Sequence, residues 1–499
     1  MSVVLDKIAI VLVSMPALVA VWAYGGLDGR LFAQLAPYAT MLALAAFVWP
    51  QRHGDERWAT ACRRVGKAML HDPLLWVVVA LFLYLLFPLF NVGLCPGCDW
   101  RAIDAGADPF PPLRHLPFCV RPVEHAHVVW WFVASLAGAF AARHALTRKG
   151  KCHLFELLVW NGVAVAILGF LQLLTEAQYP FWGKVERPLT FFATFAYPNM
   201  AGAFFTLVYA FSLGLWFHRM VMVEELTLDD ERHGKLKHPI LMEHYPVVAV
   251  ALSFFAVLAT LCRAAMMLVI LLTVIAFLYM VGRIFAETGW MRARRLKSLV
   301  VAAVFMLGLF GAVTVYAPPK VLQELKTLTV LSVADRVSGR AQYHSRVASA
   351  IMRKYPLFGV GGWGYRHFSV PFMTETERKS LQGVGGANVH NDYLQFLVEH
   401  GLVGCGLLLA CVYLLAAPVA GVWRRTVLQS IAAARSSMGV SSLAIFSVAP
   451  PVVWTFFGCC GALIHAFGDC PLRSPAVLSL LLSSLPLACG FLPREQESD

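Results

Sequence analysis

Polar and ionisable side chains cluster late in the chain, where a long polar segment meets an apolar run. His390, Asn391 and Asp392 are consecutive, and Gln395 and Glu399 follow at helical spacing. A histidine side chain ordinarily titrates near pH 6.5, so it is suited to accept a proton as a general base. A helix start, capped by Asn391, is the alternative. That alternative explains neither His390 nor a polar stripe entering an apolar helix, where ionisable residues are functional candidates.

A second group of candidate residues lies upstream and is cationic. Arg336, Arg340 and His344 recur at every fourth position, so a helix over 333–354 would place them on one face. Like charges at this spacing destabilise a helix by about 0.2–0.5 kcal/mol per pair unless an anion lies between them. The pattern is compatible with a solvated face or with lipid phosphates. It also indicates a phosphate or pyrophosphate site, because the guanidinium group fits phosphate oxygens.

Further candidates stand inside or beside apolar runs. Arg263 interrupts the apolar stretch 246–282, which as one helix would be about 55 Å long, against a membrane core of about 30 Å. We therefore predict two helices with a tight turn at Arg263.

His465 and Asp469 are one helical turn apart. Segment 359–364 matches G-x-G-x-x-G without a βαβ unit, and we interpret it as a turn that brings the backbone close to a partner.

The elements that position these residues are membrane helices. Of the 499 residues, 59% are hydrophobic and 14% are charged, against about 25% charged residues in a soluble chain. This excludes disordered, collagen-like, coiled-coil and small disulfide-rich proteins. The net charge of +12 is attributed to basic loops and membrane lipids, and no nucleic acid is expected.

Apolar runs of about 20 residues predict an all-α polytopic membrane protein with about twelve transmembrane helices. We place them at 8–25, 31–50, 73–93, 126–146, 153–174, 201–218, 245–262, 264–282, 299–317, 393–417, 450–468 and 474–492. Lys and Arg concentrate in the alternate segments 51–71, 147–151, 283–298 and 422–435. The positive-inside rule makes that side, and both termini, cytoplasmic. Segment 219–244, on the same side, mixes acidic and basic residues as a solvated linker does.

The expected organisation follows from this topology: spans one to nine over 1–317, a large, partly helical outer loop over 318–392, and three spans with a short tail over 393–499. Another outer segment, 94–125, holds Cys95, Cys98 and Cys119. A C-x-x-C pair there indicates a structural disulfide, unpaired thiols or, less readily, a metal or redox site, because a thioredoxin motif needs a βαβ setting. The sequence leaves these alternatives open.

At these residues the chain resembles the O-antigen ligase and O-antigen polymerase superfamily of bacterial envelope glycosyltransferases, over about 190–480. The main match is His390-Asn391-Asp392-Tyr393-Leu394-Gln395 with Glu399 and 401–404, following 356–361. A second match comprises His465, Asp469, Pro471, Arg473 and Pro475, and a third is Ser338-Gly339-Arg340. Two matches are weaker, 194–199 with Asn199 and 262–264 around Arg263, where the family prefers Ser-Arg-Gly. His344 stands where a Trp is common.

The resemblance implies a GT-C-like, inverting transferase in the bacterial inner membrane, without metal or cofactor. Its donor would be a glycan on undecaprenyl pyrophosphate, used at the periplasmic face. It implies catalytic roles for His390, Arg340 and Arg263. We expect substrate contacts from Arg336, His344, Asn391, Asp392, Gln395, Glu399, Asn199, His465 and Asp469.

The acceptor hydroxyl stays open at this point. It belongs to the lipid A core in a ligase, to another lipid-linked glycan in a polymerase, and to a protein in an O-glycosylating enzyme; ligation is favoured. A transporter or flippase for lipid-linked sugars is the alternative outside the enzyme class. Transporters tend to carry inverted repeats and broken helices at mid-membrane, whereas here the distinctive residues concentrate at one face and in one loop.

Overall fold

The structure is a computed structural model. It describes residues 2–26, 29–94, 111–113, 115–183, 190–232, 245–286, 344–372, 374, 388–436 and 448–492, and a few separate positions between 296 and 323. Regular structure in these ranges is helical, apart from two isolated β-bridges. The predicted class, an all-α polytopic membrane protein, is confirmed.

The helices are numbered in chain order. They are α1 (Ser2–Trp22), α2 (Gly29–Ala45), α3 (Trp58–His71), α4 (Pro73–Leu86), α5 (Pro122–His144), α6 (Arg148–Leu174), α7 (Pro198–Arg232), α8 (Pro246–Ala259), α9 (Arg263–Ala286), α10 (344–354), α11 (Gly364–Phe368), α12 (Asp392–Ser436), α13 (Pro450–Gly468) and α14 (Pro475–Ala488). Six of them begin with proline, because proline at the first helical position loses no intrahelical hydrogen bond and already has a helical φ.

Seven of the described helices are long and apolar enough to cross a membrane. They span Pro73–Phe90, Pro122–His144, Arg148–Leu174, Pro198–Met222, Arg263–Ile284, Asp392–Gln429 and Pro450–Gly468. Shorter apolar helices cover Leu31–Ala45, Pro246–Ala259 and Pro475–Phe491. The predicted span 299–317 lies mostly outside the described residues, so the expected number of about twelve stays a prediction.

Some segments predicted as loops are helical. Helix α3 occupies most of the basic segment 51–71, with Ala61 and Val65 buried. Helix α7 continues to Arg232, into the segment predicted as a linker, and α12 continues through 422–435 to Ser436. The predictions were wrong there because charged or amphipathic helices lack the long apolar run by which spans are recognised.

The chain divides into two compact units, each built from separated stretches. Unit 1 comprises 1–147, 329–416 and 463–483, and unit 2 comprises 148–328, 417–462 and 484–499. In unit 1, α5 packs on α1 and α2. In unit 2, α7 packs against α6, α8 and α9, and every residue of α7 from Met200 to Phe217 is buried.

Small residues allow the helices of unit 2 to approach closely, as is common in membrane helix packing. A Cβ on Gly202 of α7 would lie 2.7 Å from the Cβ of Ala265 in α9. The predicted tight turn is confirmed: α8 ends at Ala259 and α9 begins at Arg263. Between them, Leu261 has a φ of 58°.

Candidate functional site

A glycine-rich segment, 356–361, lies against a break in α12, and both belong to unit 1. The helix loses its geometry at Gly401, whose φ and ψ are 61° and −170°. Backbone hydrogen bonds of 2.8–3.1 Å then join the two segments, from the amides of Val360, Gly361, Leu402 and Val403 to the carbonyls of Val398, Glu399, Pro356 and Leu357, respectively. The polar groups released by the break are thereby satisfied, as a membrane protein requires.

Glycine is required at this junction. A Cβ on Gly359 would lie 2.5 Å from the backbone carbonyl of Glu399, and one on Gly401 would lie 2.3 Å from the carbonyl oxygen of Leu357. Such distances leave no room for a side chain. The close backbone approach predicted from the glycine pattern is therefore confirmed, and its partner is the broken helix that begins beside His390.

His390 lies two residues before the start of α12 and has a φ of 54°. This left-handed region is uncommon for residues other than glycine, although Asn, Asp and His adopt it more readily than most. Its side chain is 25% exposed, and its Nδ1 lies 3.2 Å from Oδ1 of Asp469, which is only 5% exposed. A strained backbone at a partly open histidine is typical of a functional site.

The ionisation of Asp469 determines how the histidine ring is protonated. Burial raises the pKa of Asp469, but the hydrogen bond and charge of His390 and the amide of Cys470, at 2.8 Å, outweigh it. The pKa therefore lies below its usual range, and the ionised carboxylate can only accept hydrogen bonds. We assign the proton of the neutral ring to Nδ1 of His390, which leaves Nε2 with the lone pair. Serine hydrolases hold a histidine base with a carboxylate in the same way.

Asn391 and Asp392 fix the start of α12. Asn391 Oδ1 accepts the Leu394 amide at 3.0 Å, which confirms the predicted cap, and its Nδ2 donates to the carbonyl of Phe467 at 3.1 Å. The Leu472 amide donates to Oδ2 of Asp392 at 2.7 Å. Both side chains therefore connect α12 to the end of α13 and the turn that follows.

The polar stripe of α12 is buried and bonded within the protein. Gln395 is 1% and Glu399 is 2% exposed. Gln395 accepts the Val389 amide at 2.7 Å and donates to Glu399 at 2.9 Å, and Glu399 accepts Arg473 Nη1 at 3.1 Å through each oxygen. Substrate contacts were expected from Gln395, Glu399 and Asp392, but in the structure their polar atoms face protein groups.

His344 and His465 also lie near the pair. The ring centre of His344 is 5.5 Å from that of His390, and its Nδ1 is 3.0 Å from the hydroxyl of Tyr365. His465 is buried at the end of α13, and its carbonyl accepts the Asp469 amide at 3.2 Å. Unit 1 thus brings together His344, His390 and Asp469, three of the residues predicted for the site.

Comparison with known families bears on this arrangement. Residues 248–409 match a family model described as O-antigen ligase. This part of the chain is therefore similar to the O-antigen ligase family. The matched range includes Arg263, the glycine-rich segment, His390 and the break in α12. No curated protein matches the chain. The similarity suggests a membrane glycosyltransferase of the ligase or polymerase type.

Four further predicted site residues lie in unit 2 or outside the described residues. Arg336 and Arg340 lie outside the described residues, where only the end of the predicted helix, 344–354, is seen. Arg263 begins α9 in unit 2, and Asn199 lies in the first turn of α7, with Nδ2 3.1 Å from the hydroxyl of Tyr197. Arg473 was not predicted as a site residue. The signal in the sequence that could have identified it is a cation shortly after Asp469, which could pair with Glu399 in the polar stripe of α12.

The structure describes one of the three cysteines of segment 94–125. Cys119 is a free, buried thiol whose Sγ lies 3.1 Å from the carbonyl of Pro88. Burial raises its pKa to about 12, so it is unreactive at neutral pH. Cys95 and Cys98 lie outside the described residues, and the pairing between them stays open.

His390, Asp469 and Cys470 have donor atoms within 4.8 Å of one another, close enough to hold a metal ion. Hydrogen bonds already join them, because the Cys470 thiol lies 3.3 Å from Oδ1 of Asp469. Burial and the charges of Asp469 and Asp392 raise the pKa of Cys470 well above its usual range. The thiol is therefore protonated in this arrangement, and a metal ion at this site would have to displace its proton.

Proposed function

We propose that the protein transfers a glycan from undecaprenyl pyrophosphate to a hydroxyl group of the lipid A core. The observation that supports this proposal best is the pair of His390 and Asp469. His390 lies within the range that matches the O-antigen ligase family, and Asp469 lies beyond it. A histidine base with a lone pair on Nε2 is the group that an acceptor hydroxyl requires.

In the proposed reaction the acceptor oxygen attacks the anomeric carbon of the first sugar. A new carbon–oxygen bond forms as the bond to the phosphate oxygen breaks, with inversion, and the bonding electrons leave with undecaprenyl pyrophosphate. The hydroxyl proton passes to Nε2 of His390. The Nδ1 proton stays hydrogen-bonded to Asp469, whose negative charge stabilises the imidazolium ion. The proposed step uses no metal or cofactor.

The leaving pyrophosphate gains negative charge in the transition state. Arg340 and Arg263, with Arg336 beside them in sequence, are proposed to bind it, because guanidinium groups form paired hydrogen bonds to phosphate oxygens. These roles rest on the family resemblance and on the chemistry of arginine. His344 is proposed to contact the substrate near His390.

The proposal places the loop 318–392 in the periplasm and both termini in the cytoplasm of a bacterial inner membrane. Labelling of a cysteine introduced by Ser380→Cys with an impermeant reagent tests this orientation. Labelling in cells with a permeabilised outer membrane but an intact inner membrane supports it. Labelling that needs lysis of the inner membrane contradicts it.

The decisive experiment uses the purified protein in lipid nanodiscs with a lipid-linked glycan donor. Lipid A core, a second lipid-linked glycan and a Ser/Thr peptide are supplied separately, and the products are measured by mass spectrometry. Transfer to the core, lost in His390→Asn and kept in Tyr413→Phe, supports ligation; Tyr413 is 70% exposed and serves as the control. Transfer only to the glycan or only to the peptide reassigns the acceptor, and no transfer to any acceptor overturns the proposal.

A further inference from the structure

The backbone next to His390 is held from inside unit 1 by a chain of buried polar groups. We call the side chains of Gln395, Glu399 and Arg473 the polar chain. It begins at the amide of Val389, which donates to Gln395 at 2.7 Å, and it ends at the guanidinium group of Arg473. All three side chains are less than 10% exposed.

Two members of the polar chain, Gln395 and Glu399, each have one possible orientation. Arg473 donates to Glu399 through Nη1, while its Nε and Nη2 have no hydrogen-bond partner among the described residues. Glu399 pairs with Arg473 and is a carboxylate, so it can only accept hydrogen bonds. Gln395 must therefore present its NH₂ group to Glu399 and its oxygen to the Val389 amide. A buried network in which the partners determine one another's orientation specifies one geometry, since an unpaired buried polar group is costly.

The far end of the polar chain is fixed by aromatic rings. The guanidinium carbon of Arg473 lies 4.1 Å from the ring centre of Trp363 and 5.8 Å from that of Trp131. Trp363 lies two residues after the glycine-rich segment and has a φ of 60°. A desolvated cation over an indole ring is attracted by the electrons of the ring, so Arg473 is held in place independently of Glu399.

Two routes therefore connect His390 to the same short turn after α13. One leaves from the imidazole ring to Asp469, and the other leaves from the preceding amide through the polar chain to Arg473. A ring attached by one hydrogen bond can still rotate with its backbone. Attachment of both ring and backbone to one turn fixes the direction in which Nε2 points.

We propose that Gln395, Glu399 and Arg473 are positioning residues that orient His390 for proton transfer, an inference that rests on the proposed function of His390 as the base. They contact no substrate. Misplacement of a catalytic group by about 1 Å costs about 10²-fold in rate, so disruption of the polar chain is expected to lower kcat at unchanged donor affinity.

The test exchanges the two ends of one hydrogen bond. Gln395→Glu places two carboxylates side by side, and Glu399→Gln leaves Arg473 without its counter-charge. In the double variant, the new carboxylate at position 395 accepts from Val389 and from the amide at position 399, whose oxygen accepts from Arg473. The chain and its net charge are restored. Gln395→Met, which only removes the amide, is included because the charge variants are at risk of not folding.

Three quantities are measured in nanodiscs: kcat per folded molecule, the donor KM, and the rate at which diethyl pyrocarbonate modifies His390, followed by mass spectrometry. We expect the single variants to lose at least tenfold in kcat with unchanged KM and to modify His390 several times faster, and the double variant to recover both. Gln172→Met, which removes a buried glutamine amide in unit 2, should leave both unchanged.

The positioning role is overturned if the single variants and Gln395→Met all keep the kcat per folded molecule and the His390 modification rate of the native protein. The modification rate decides the matter even where the native protein transfers no glycan. Absence of glycan transfer by the native protein would reject the proposed function. Faster modification of His390 in the variants would still support the polar chain as the element that orients the ring.

Discussion

The imidazole of His390 and the carboxylate of Asp469 share a 3.2 Å hydrogen bond although 79 residues separate them in the chain. One residue precedes α12 and the other follows α13, and both lie in unit 1. Because the carboxylate accepts the Nδ1 proton, the other ring nitrogen is available to a substrate.

Replacement of His390 by asparagine separates chemistry from folding. Asn tolerates the left-handed backbone conformation of this position better than most residues, so we expect a folded protein with a melting temperature close to that of the native one. Asn cannot accept the proton, so transfer should fall by about 10²–10⁴-fold. Glycan transfer and donor binding are measured at matched expression. Retained transfer would reject the base role, and lost donor binding would assign His390 to recognition.

Asp469→Asn tests the orientation of the ring. The amide has the same shape but presents a donor or a neutral acceptor, so the Nδ1 proton is no longer favoured and transfer should fall by about 10²-fold or more. The variant should bind donor as the native protein does. Equal activity of the variant and the native protein would show that Asp469 has no part in catalysis.

The lowered pKa of Asp469 also predicts how stability depends on pH. A group whose pKa is lower in the folded state contributes stability above its unfolded value, about 3.9, and loses it as the pH falls through the folded value. Asp469 should therefore lose its contribution progressively as the pH falls below about 4. Unfolding of the native protein and of Asp469→Asn below this pH checks this, since the difference between them should shrink as the pH falls.

Gly401→Ala should destabilise unit 1. Alanine at this φ and ψ is strained by about 1–3 kcal/mol, and its Cβ would lie 2.3 Å from the carbonyl oxygen of Leu357. Gly406→Ala is the matched control, because Gly406 lies in the same helix with no atom within 4 Å of the new Cβ. It should be neutral or stabilising by up to about 1 kcal/mol. Thermal unfolding measures both, and equal melting temperatures would contradict the role of the break.

The arginine proposal predicts a graded loss. Arg340→Ala and Arg263→Ala should each lower transfer by about 10²–10³-fold, as removal of a transition-state donor does. Arg340→Lys should also lose activity, because Lys cannot form the paired hydrogen bonds of a guanidinium group. Arg378→Ala is the control and should be active. If both Arg340 variants keep native activity, the face predicted for Arg336, Arg340 and His344 is only a solvated face.

Removal of metal tests the cluster of His390, Asp469 and Cys470. If hydrogen bonds alone hold it, EDTA should leave transfer unchanged, and added Co²⁺ should give no thiolate charge-transfer band. An inactivation by EDTA that Zn²⁺ reverses, together with such a band that Cys470→Ser removes, would instead establish a metal site there.

The sequence predicted much of the fold because long apolar runs allow little besides membrane helices. The span predicted at 450–468 has the bounds of α13. Helix α3 was missed because its apolar face is interrupted by arginines, so no run of sufficient length exists. The glycine-rich segment was predicted to bring its own backbone close to a partner. The partner could not be identified, because pairing between backbone groups does not depend on side-chain type.

The polar stripe shows why the candidate site was only partly predictable. From the sequence, Gln395 and Glu399 are polar residues in an apolar helix, and a substrate contact is the default interpretation. Their burial depends on Arg473, 74 residues beyond Glu399. No local pattern encodes a partner at that distance. For the same reason His390 and Asp469 were each singled out in the sequence, but nothing there paired them with each other.

The discontinuity of unit 1 has a consequence for biosynthesis. Its last stretch, 463–483, supplies Asp469 and Arg473, and the ribosome completes it after His390, the glycine-rich segment and the break in α12 have already been made. His390 is thus made before either of its anchors exists. Closure of a contact across such a sequence separation is slow compared with helix formation, so the proposed site is completed only after 463–483 has been translated.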